Sequence, residues 1–238
     1  MTHLVCGYPN LEESEKILNI LSKYSEYIEV QFPFSDPIAD WPLISKANMV
    51  SLHSWSTTEK CFDFMERNIN KIESKLLIMT YYNIVFNYWV EKFVKKASEI
   101  WIYWLIVPDV PFDENDWEKL IDICKKYNIN LIQIVSPSVE KNRLEKISNI
   151  SSGFVYAVSQ NMTTWSNWNF EWEFKKYINN LKKEIKIKIW VWFWVKTKED
   201  VNKVCNVSDF AIIWSEVIKK YDKEWIEWIE KYFKKVIK

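Results

Sequence analysis

LLIMT (76–80), VEKFVKKAS (90–98) and IYWLIV (102–107) follow one another within about 30 residues, and this order decides the fold. The outer two are short apolar runs rich in leucine, isoleucine and valine, as strands covered on both faces require. Between them Val90, Phe93, Val94 and Ala97 recur at three- and four-residue spacing, which is the stripe of an amphipathic helix. Strand, helix, strand is one βα unit and the start of the next.

The same alternation extends in both directions. Strand-like runs occupy 3–7, 27–32, 76–80, 102–107, 130–135, 153–158, 187–193 and 209–213. Helical patterns span Leu11–Lys23, Thr58–Lys71, Val90–Ser98, Asn115–Tyr127, Lys141–Ile147, Glu171–Lys183, Lys198–Val204 and Lys223–Val236. Eight strands, each followed by a helix, predict an α/β fold of the (β/α)₈ TIM-barrel type as a single domain over 1–238; an open, doubly wound sheet with fewer strands is the alternative.

Composition narrows the function. The 32 basic and 32 acidic side chains cancel, and arginine stands only at Arg67 and Arg143, so there is no positive field for nucleic acid or an anionic membrane. No apolar run reaches the roughly 18 to 20 residues of a membrane span, and MTHLVCGYPN has no signal-peptide pattern, which makes a cytoplasmic enzyme the expectation. Cys6, Cys61, Cys124 and Cys205 lack paired spacing and are expected as buried thiols, neither a zinc site nor a disulfide framework. His3 and His53 are too few for a metal triad, so no metal is expected.

Glycine usage is anomalous. A chain this long would ordinarily hold roughly 17 glycines at about 7% usage, whereas this one has 2, together with 15 tryptophans. Tryptophans in glycine places should sit in turns, caps and tight ligand loops, and several do by context. IWVWFWVK (189–196) and AIIWSE (211–216) become glycine turns feeding helix N-termini if each tryptophan is read as glycine, which is how backbone amides cradle phosphate.

In a barrel the chemistry sits in loops beyond the strand C-terminal ends. The loop after the second strand, Gln31-Phe-Pro-Phe-Ser-Asp-Pro-Ile-Ala-Asp-Trp-Pro42, is long, proline-stiffened and carries two aspartates. Just before it Glu29 interrupts an apolar run at an inward-pointing position, where burial can make a carboxyl an acid/base at neutral pH; a structural glutamate paired with a lysine is the competing account.

These residues resemble the tryptophan synthase α-subunit family along essentially the whole chain. The motifs are Tyr27-Ile-Glu-Val-Gln-Phe-Pro-Phe-Ser-Asp-Pro-Ile-Ala-Asp-Trp-Pro42, Tyr82-Asn-Ile-Val-Phe-Asn87, Val107-Pro-Asp-Val-Pro111, Phe154-Val-Tyr-Ala-Val-Ser159, Trp192-Phe-Trp194 and Trp214-Ser215, with glycine expected at Trp41, Trp194 and Trp214. The resemblance implies a TIM barrel that cleaves indole-3-glycerol phosphate to indole and glyceraldehyde 3-phosphate without a cofactor of its own. It also implies an α₂β₂ assembly with a β subunit that carries pyridoxal phosphate. Glu29 matches the catalytic glutamate that protonates indole carbon 3, and Asp40 the aspartate that accepts the indole N–H. Tyr156, Met79, Tyr81, Ile106 and Pro108 match positions lining the site, and Thr164 the threonine of the closing loop. Main-chain groups at Trp165, Phe193, Trp194, Trp214 and Ser215, with the Ser215 hydroxyl, match the phosphate site.

Several positions depart from the family. The N-terminal helix common in the family is absent, Gln160 replaces an arginine and Met162 a glycine, whereas Pro33 and Asp36 at the β-subunit interface are retained. Two accounts of the tryptophans follow. UGA codons decoded as glycine in the source, and written here as tryptophan, would restore the family pattern. Genuine tryptophans would instead make a non-catalytic α-like chain that only binds or activates a β subunit, because indoles at Trp194 and Trp214 would fill the phosphate volume. A third possibility, an unrelated aromatic binding module, conflicts with the intact Glu29 and Asp40 pair. Indole-glycerol-phosphate synthase, another phosphate-binding barrel, would require a strand-end lysine that is not evident.

Overall fold

A computed structural model describes residues 1–110, 119–158, 170–192 and 195–237, the side chains of 170–172 excepted. Its strands are β1 (Thr2–Val5), β2 (Tyr27–Gln31), β3 (Lys75–Met79), β4 (Trp104–Ile106), β5 (Asn130–Val135), β6 (Phe154–Val158), β7 (Lys188–Trp192) and β8 (Phe210–Ile212). They pair in sequence order and all in parallel. The ring closes where Thr2 bridges Ile213, with His3 N–H donating to Ile213 O (3.1 Å) and Ile213 N–H to Met1 O (3.0 Å). This closure rules out the open sheet, and each expected strand lies within a residue or two of its predicted place.

The helices are α1 (Leu11–Leu21), α2 (Pro42–His53), α3 (Thr58–Ile69), α4 (Tyr82–Asn87), α5 (Val90–Glu99), α6 (Leu120–Lys126), α7 (Lys141–Ile150), α8 (Phe170–Glu184), α9 (Lys198–Cys205), α10 (Glu216–Glu224) and α11 (Ile226–Ile237). The helix expected from Asn115 is described only from Leu120, since 111–118 lie outside the described residues. Three helices were not anticipated. α2 starts on Pro42 at a position where the missing N–H costs nothing, but its apolar residues are spread round the helix. α4 has six residues, and α10 reads as a polar string. The helix expected from Lys223 starts instead at Ile226 as α11, separated from α10 where Trp225 takes φ 67°. Cys6, Cys61 and Cys124 are buried as expected; Cys205, on the last turn of α9, is exposed, which corrects the expectation of four buried thiols.

One apolar shell lies between sheet and helices, and a second fills the barrel. The inner one is layered by strand alternation. The even strands begin inward with Tyr27, Trp104, Phe154 and Phe210, an aromatic floor in which Trp190 stacks on Phe154 at 3.7 Å and meets Tyr27 edge-on at 4.5 Å. Two residues on, the same strands present Glu29, Ile106, Tyr156 and Ile212. Two further bring Gln31, Pro108, Val158 and Trp214 to the mouth. The sheet register therefore stacks the strand residues of the candidate site, and the segments beyond the strand ends supply Asp40, Pro108 and Trp214.

Helix ends explain several tryptophans. α2, α5 and α6 each finish with the paired bonds of a Schellman motif: Trp55 N–H to Leu52 O with Ser56 N–H to Ser51 O, Trp101 N–H to Ser98 O with Ile102 N–H to Ala97 O, and Asn128 N–H to Lys125 O with Ile129 N–H to Cys124 O. The residue in the left-handed slot is asparagine in one and tryptophan in two (φ 57°, 61° and 63°). Trp89 between α4 and α5 (φ 69°) and Trp225 (φ 67°) are also at positive φ, with ψ of 113° and −179°. Side chains with a Cβ pay roughly 1–2 kcal/mol to sit there. These four indoles recover little by burial, being 79%, 65%, 77% and 72% exposed at Trp55, Trp101, Trp89 and Trp225. The two glycines, Gly7 and Gly153, are also at positive φ, and a Cβ on Gly7 would lie 1.9 Å from the Ser56 hydroxyl.

Candidate active site

Glu29 sits in the middle layer, 1% exposed. Its Oε1 accepts the Trp214 indole N–H at 2.8 Å, and its Oε2 has no hydrogen-bond partner. Burial pushes the carboxyl up to about 8, against the pull of that N–H and with a small push from the Asp40 charge. No lysine pairs with it among the described residues. The nearest basic atom is His3 Nε2 at 3.9 Å, on a ring that burial holds neutral down to about 3.

Asp40 reaches the same place from the loop. A turn in which Asp40 N–H bonds Pro37 O, and the Ala39 N–H donating to the Tyr81 hydroxyl at 3.1 Å, fold the loop back over the barrel. Asp40 Oδ2 accepts from Gln31 Nε2 (2.7 Å) and Asn48 Nδ2 (3.3 Å), while Oδ1 is buried with no hydrogen bond within 3.5 Å. Burial raises this carboxyl to about 6, with Gln31, Tyr81 and Asn48 opposing. Two carboxyls are thus held apart in acidity: near neutral pH Glu29 keeps its proton and Asp40 does not.

Both line one cavity of about 100 Å³ with Ala39, Met79, Ile106, Pro108, Tyr156 and Trp214 among its walls. Burial, with the charges of the two acids adding to it, holds the Tyr156 hydroxyl protonated. Tyr81 is not in the wall; it stacks on Phe34 and acts on the loop from behind. A second cavity of about 250 Å³ lies toward Ser215, lined by Trp41, Lys196, Lys219 and Glu216 among others. Ser215 is the N-cap of α10 and its hydroxyl makes no capping bond, which leaves a helix N-terminus open to that cavity. Trp192 and Trp214, packed edge to face at 5.4 Å, belong to both walls and form the partition. Neither compartment alone has the 300 Å³ or more typical of a small-molecule site.

The structure thus brings together Glu29, Asp40, Tyr156, Met79, Ile106, Pro108, Trp214 and Ser215, with Tyr81 one shell out. Thr164, Trp165, Phe193 and Trp194 lie outside the described residues. Trp214 itself is not in a left-handed conformation, so strain among the described tryptophans is at helix ends and not at Trp214. His3, Gln31 and Asn48, all fully buried, were given no role from sequence. The available signal was parity, since Gln31 points the same way as Glu29 along β2.

Comparison with known proteins agrees with this geometry. The family model described as "Tryptophan synthase alpha chain" matches residues 1–237. The chain is 38% identical over 220 residues to the tryptophan synthase alpha chain of Methanocaldococcus jannaschii, covering 92% of this chain and 78% of that one. It is 34% identical to that of Desulfotalea psychrophila, covering 94% and 87%. Among solved structures, tryptophan synthase subunit alpha from Campylobacter jejuni superposes with a TM-score of 0.87 at 30% identity, over 99% of this chain and 94% of the other. With a closed (β/α)₈ barrel, two unequal buried carboxyls at its mouth and a match running from end to end, the chain belongs to the tryptophan synthase alpha chain family.

Proposed function

We propose that the chain cleaves indole-3-glycerol phosphate to indole and glyceraldehyde 3-phosphate, with Glu29 as acid/base and Asp40 as acceptor of the indole N–H. The observation carrying this is the pair of buried carboxyl oxygens, Glu29 Oε2 and Asp40 Oδ1, left without hydrogen bonds on residues lining one cavity. Protonated Glu29 gives its proton to carbon 3 of the indole while the Asp40 carboxylate stabilises the positive charge that develops on the ring. The bond from carbon 3 to the hydroxyl-bearing carbon then breaks, its electron pair returning to the ring. The hydroxyl proton passes to the Glu29 carboxylate, and the aldehyde forms. No net proton, electron or cofactor is consumed. Met79, Ile106, Pro108 and Tyr156 flank the ring, with Tyr81 bracing the loop. Ser215, with main chain at Trp165, Phe193, Trp194 and Trp214, takes the phosphate, and Thr164 belongs to the loop closing over it.

The same proposal includes a β subunit carrying pyridoxal phosphate as receiver of the indole, an α₂β₂ assembly through the face near Pro33 and Asp36, and a cytoplasmic setting. No described helix is long and apolar enough to cross a membrane.

Glycine at the tryptophan positions is part of the proposal. It is supported by the positive φ at Trp55, Trp89, Trp101 and Trp225 and by the partition that Trp192 and Trp214 build across the cavity. Trp190 and Trp104 run the other way, being extended strand residues packed in the aromatic floor. The alternative, a non-catalytic α-like chain, is favoured by the Trp214 indole seated on Glu29. Two measurements separate the accounts. The intact mass of the protein from its source is either 28.9 kDa or lighter by fifteen indolylmethyl groups. Indole release from indole-3-glycerol phosphate, lost in Glu29→Gln, is expected of the glycine form; release that survives Glu29→Gln refutes the assignment.

A further inference from the structure

His3, Gln31 and Asn48 are three fully buried polar side chains that the chemistry above leaves unused, and with Asp40 they form one chain of hydrogen bonds. None is a tryptophan position, and each bond of the chain runs between non-tryptophan side chains, with the His3 ring packed on Trp214 at 4.6 Å.

The direction of each bond is fixed by its neighbours. The His3 ring is neutral and carries one proton; its Nδ1 has no partner and its Nε2 lies 2.8 Å from Gln31 Oε1. A carbonyl oxygen only accepts, so the proton is on Nε2. With its oxygen turned to His3, Gln31 must present its amino group to the loop, where Nε2 meets Asp40 Oδ2 at 2.7 Å. Asn48 is fixed in the same way: its Oδ1 accepts the Phe34 N–H at 3.0 Å and its Nδ2 donates both to Ile44 O (2.9 Å) and to Asp40 Oδ2 (3.3 Å). Two donors therefore converge on Oδ2, the Tyr81 hydroxyl also acts on the carboxyl, and Oδ1 has no hydrogen bond within 3.5 Å. The residues flanking the chain are equally defined: Glu29, Tyr81 and Tyr156 are the other titratable groups acting on or beside Asp40.

We infer that Gln31, oriented by His3, is a positioning residue of the cleavage reaction: it occupies Asp40 Oδ2, holds the carboxylate ionised, and leaves Oδ1 as the one acceptor aimed at the substrate N–H. The inference rests on the role proposed for Asp40. In energetic terms a buried carboxylate loses water, and the Gln31 N–H replaces it with a preorganised donor. The sequence places the donor two residues beyond Glu29 on the same inward face of β2, so one strand serves both acids.

The test uses the indole-releasing form of the chain, purified, with Gln31→Met, His3→Phe and Asp40→Asn variants. Gln31→Met keeps shape and removes the donor. Its acid limb of kcat/KM is expected to move up by about one pH unit, because Asp40 loses a bond that favours the charged form. Rate at pH 6.5 then falls by severalfold and recovers at higher pH. A role confined to folding would scale the rate equally at all pH values. His3→Phe should shift the limb in the same direction by less, and add nothing when Gln31 is already Met, since His3 acts only through Gln31. If Gln31→Met does not fold, the limb in His3→Phe decides. Unmoved acid limbs in both folded variants, beside an inactive Asp40→Asn, overturn this inference alone. An Asp40→Asn variant with the wild-type rate overturns the Asp40 assignment itself.

Discussion

The Trp214 indole N–H points at Glu29 Oε1 from 2.8 Å across the barrel mouth, linking the top of β8 to the middle of β2. An indole thus lies where the substrate of the proposed reaction would have to come, and it engages the proposed acid. With Trp192 it also walls off the compartment beside Ser215.

Replacing both by glycine is expected to join the two cavities into one of substrate size and to produce binding of indole-3-glycerol phosphate where the tryptophan form shows none. Calorimetric titration checks this. Trp214→Phe, which removes the N–H and keeps the bulk, should not restore binding; if it does, the hydrogen bond and not the volume is the obstacle.

Acidity sets a window for the reaction. The proposed reaction needs Asp40 ionised and Glu29 protonated, so kcat/KM should rise on the acid side with Asp40, about 6 in this chain, and fall on the alkaline side with Glu29, about 8 while the Trp214 N–H bonds it. Glu29→Gln should lower kcat by roughly 10²–10⁴-fold and leave no alkaline limb to measure. A profile flat from pH 5 to 9 would contradict the split assignment.

The buried glutamate also has a cost in stability. Its folded pKa lies above the unfolded value of 4.5, so the folded state holds the proton more tightly. Its contribution is fully present below pH 4.5 and is lost as pH rises through about 8. Each unit of that gap corresponds to about 1.4 kcal/mol. Glu29→Gln is therefore expected to be more stable than the parent at pH 9 and to lose that advantage by pH 4, as read from urea midpoints at both values.

Tryptophan at positive φ should be improved by glycine even though a large side chain is removed. Trp55→Gly, Trp89→Gly, Trp101→Gly and Trp225→Gly are each expected to raise stability by about 1 kcal/mol, additively because the sites are separate. Trp190→Gly should do the opposite, since that ring stacks on Phe154 inside the barrel. Thermal unfolding of the five variants distinguishes backbone strain from packing.

The strands were legible because fully buried parallel strands are short apolar runs with little else in them, and Glu29 stood out as the charge that broke one. α2, α4 and α10 were not legible: α2 lacks a one-sided apolar stripe, α4 is under two turns long, and α10 is mostly polar in composition. In the site, Glu29 stood out as a carboxylate inside an apolar strand, and Asp40 was marked by the resemblance of its loop motif to the family. His3, Gln31 and Asn48 did not stand out, since an amide side chain takes its meaning from which of its two ends meets which partner. That is settled by how β1, β2 and α2 pack together in space. Trp225 sits within a continuous helical pattern in the sequence, and only its positive φ distinguishes it.

β1 and β8 are joined by a single ladder bridge, Thr2 to Ile213, where β2 and β3 share five paired positions. This is the seam of the barrel, and its two lips carry His3 on one side and Trp214 on the other. Breathing of the ring will begin here, so amide exchange at His3 and Ile213 reports directly on the surroundings of both acids.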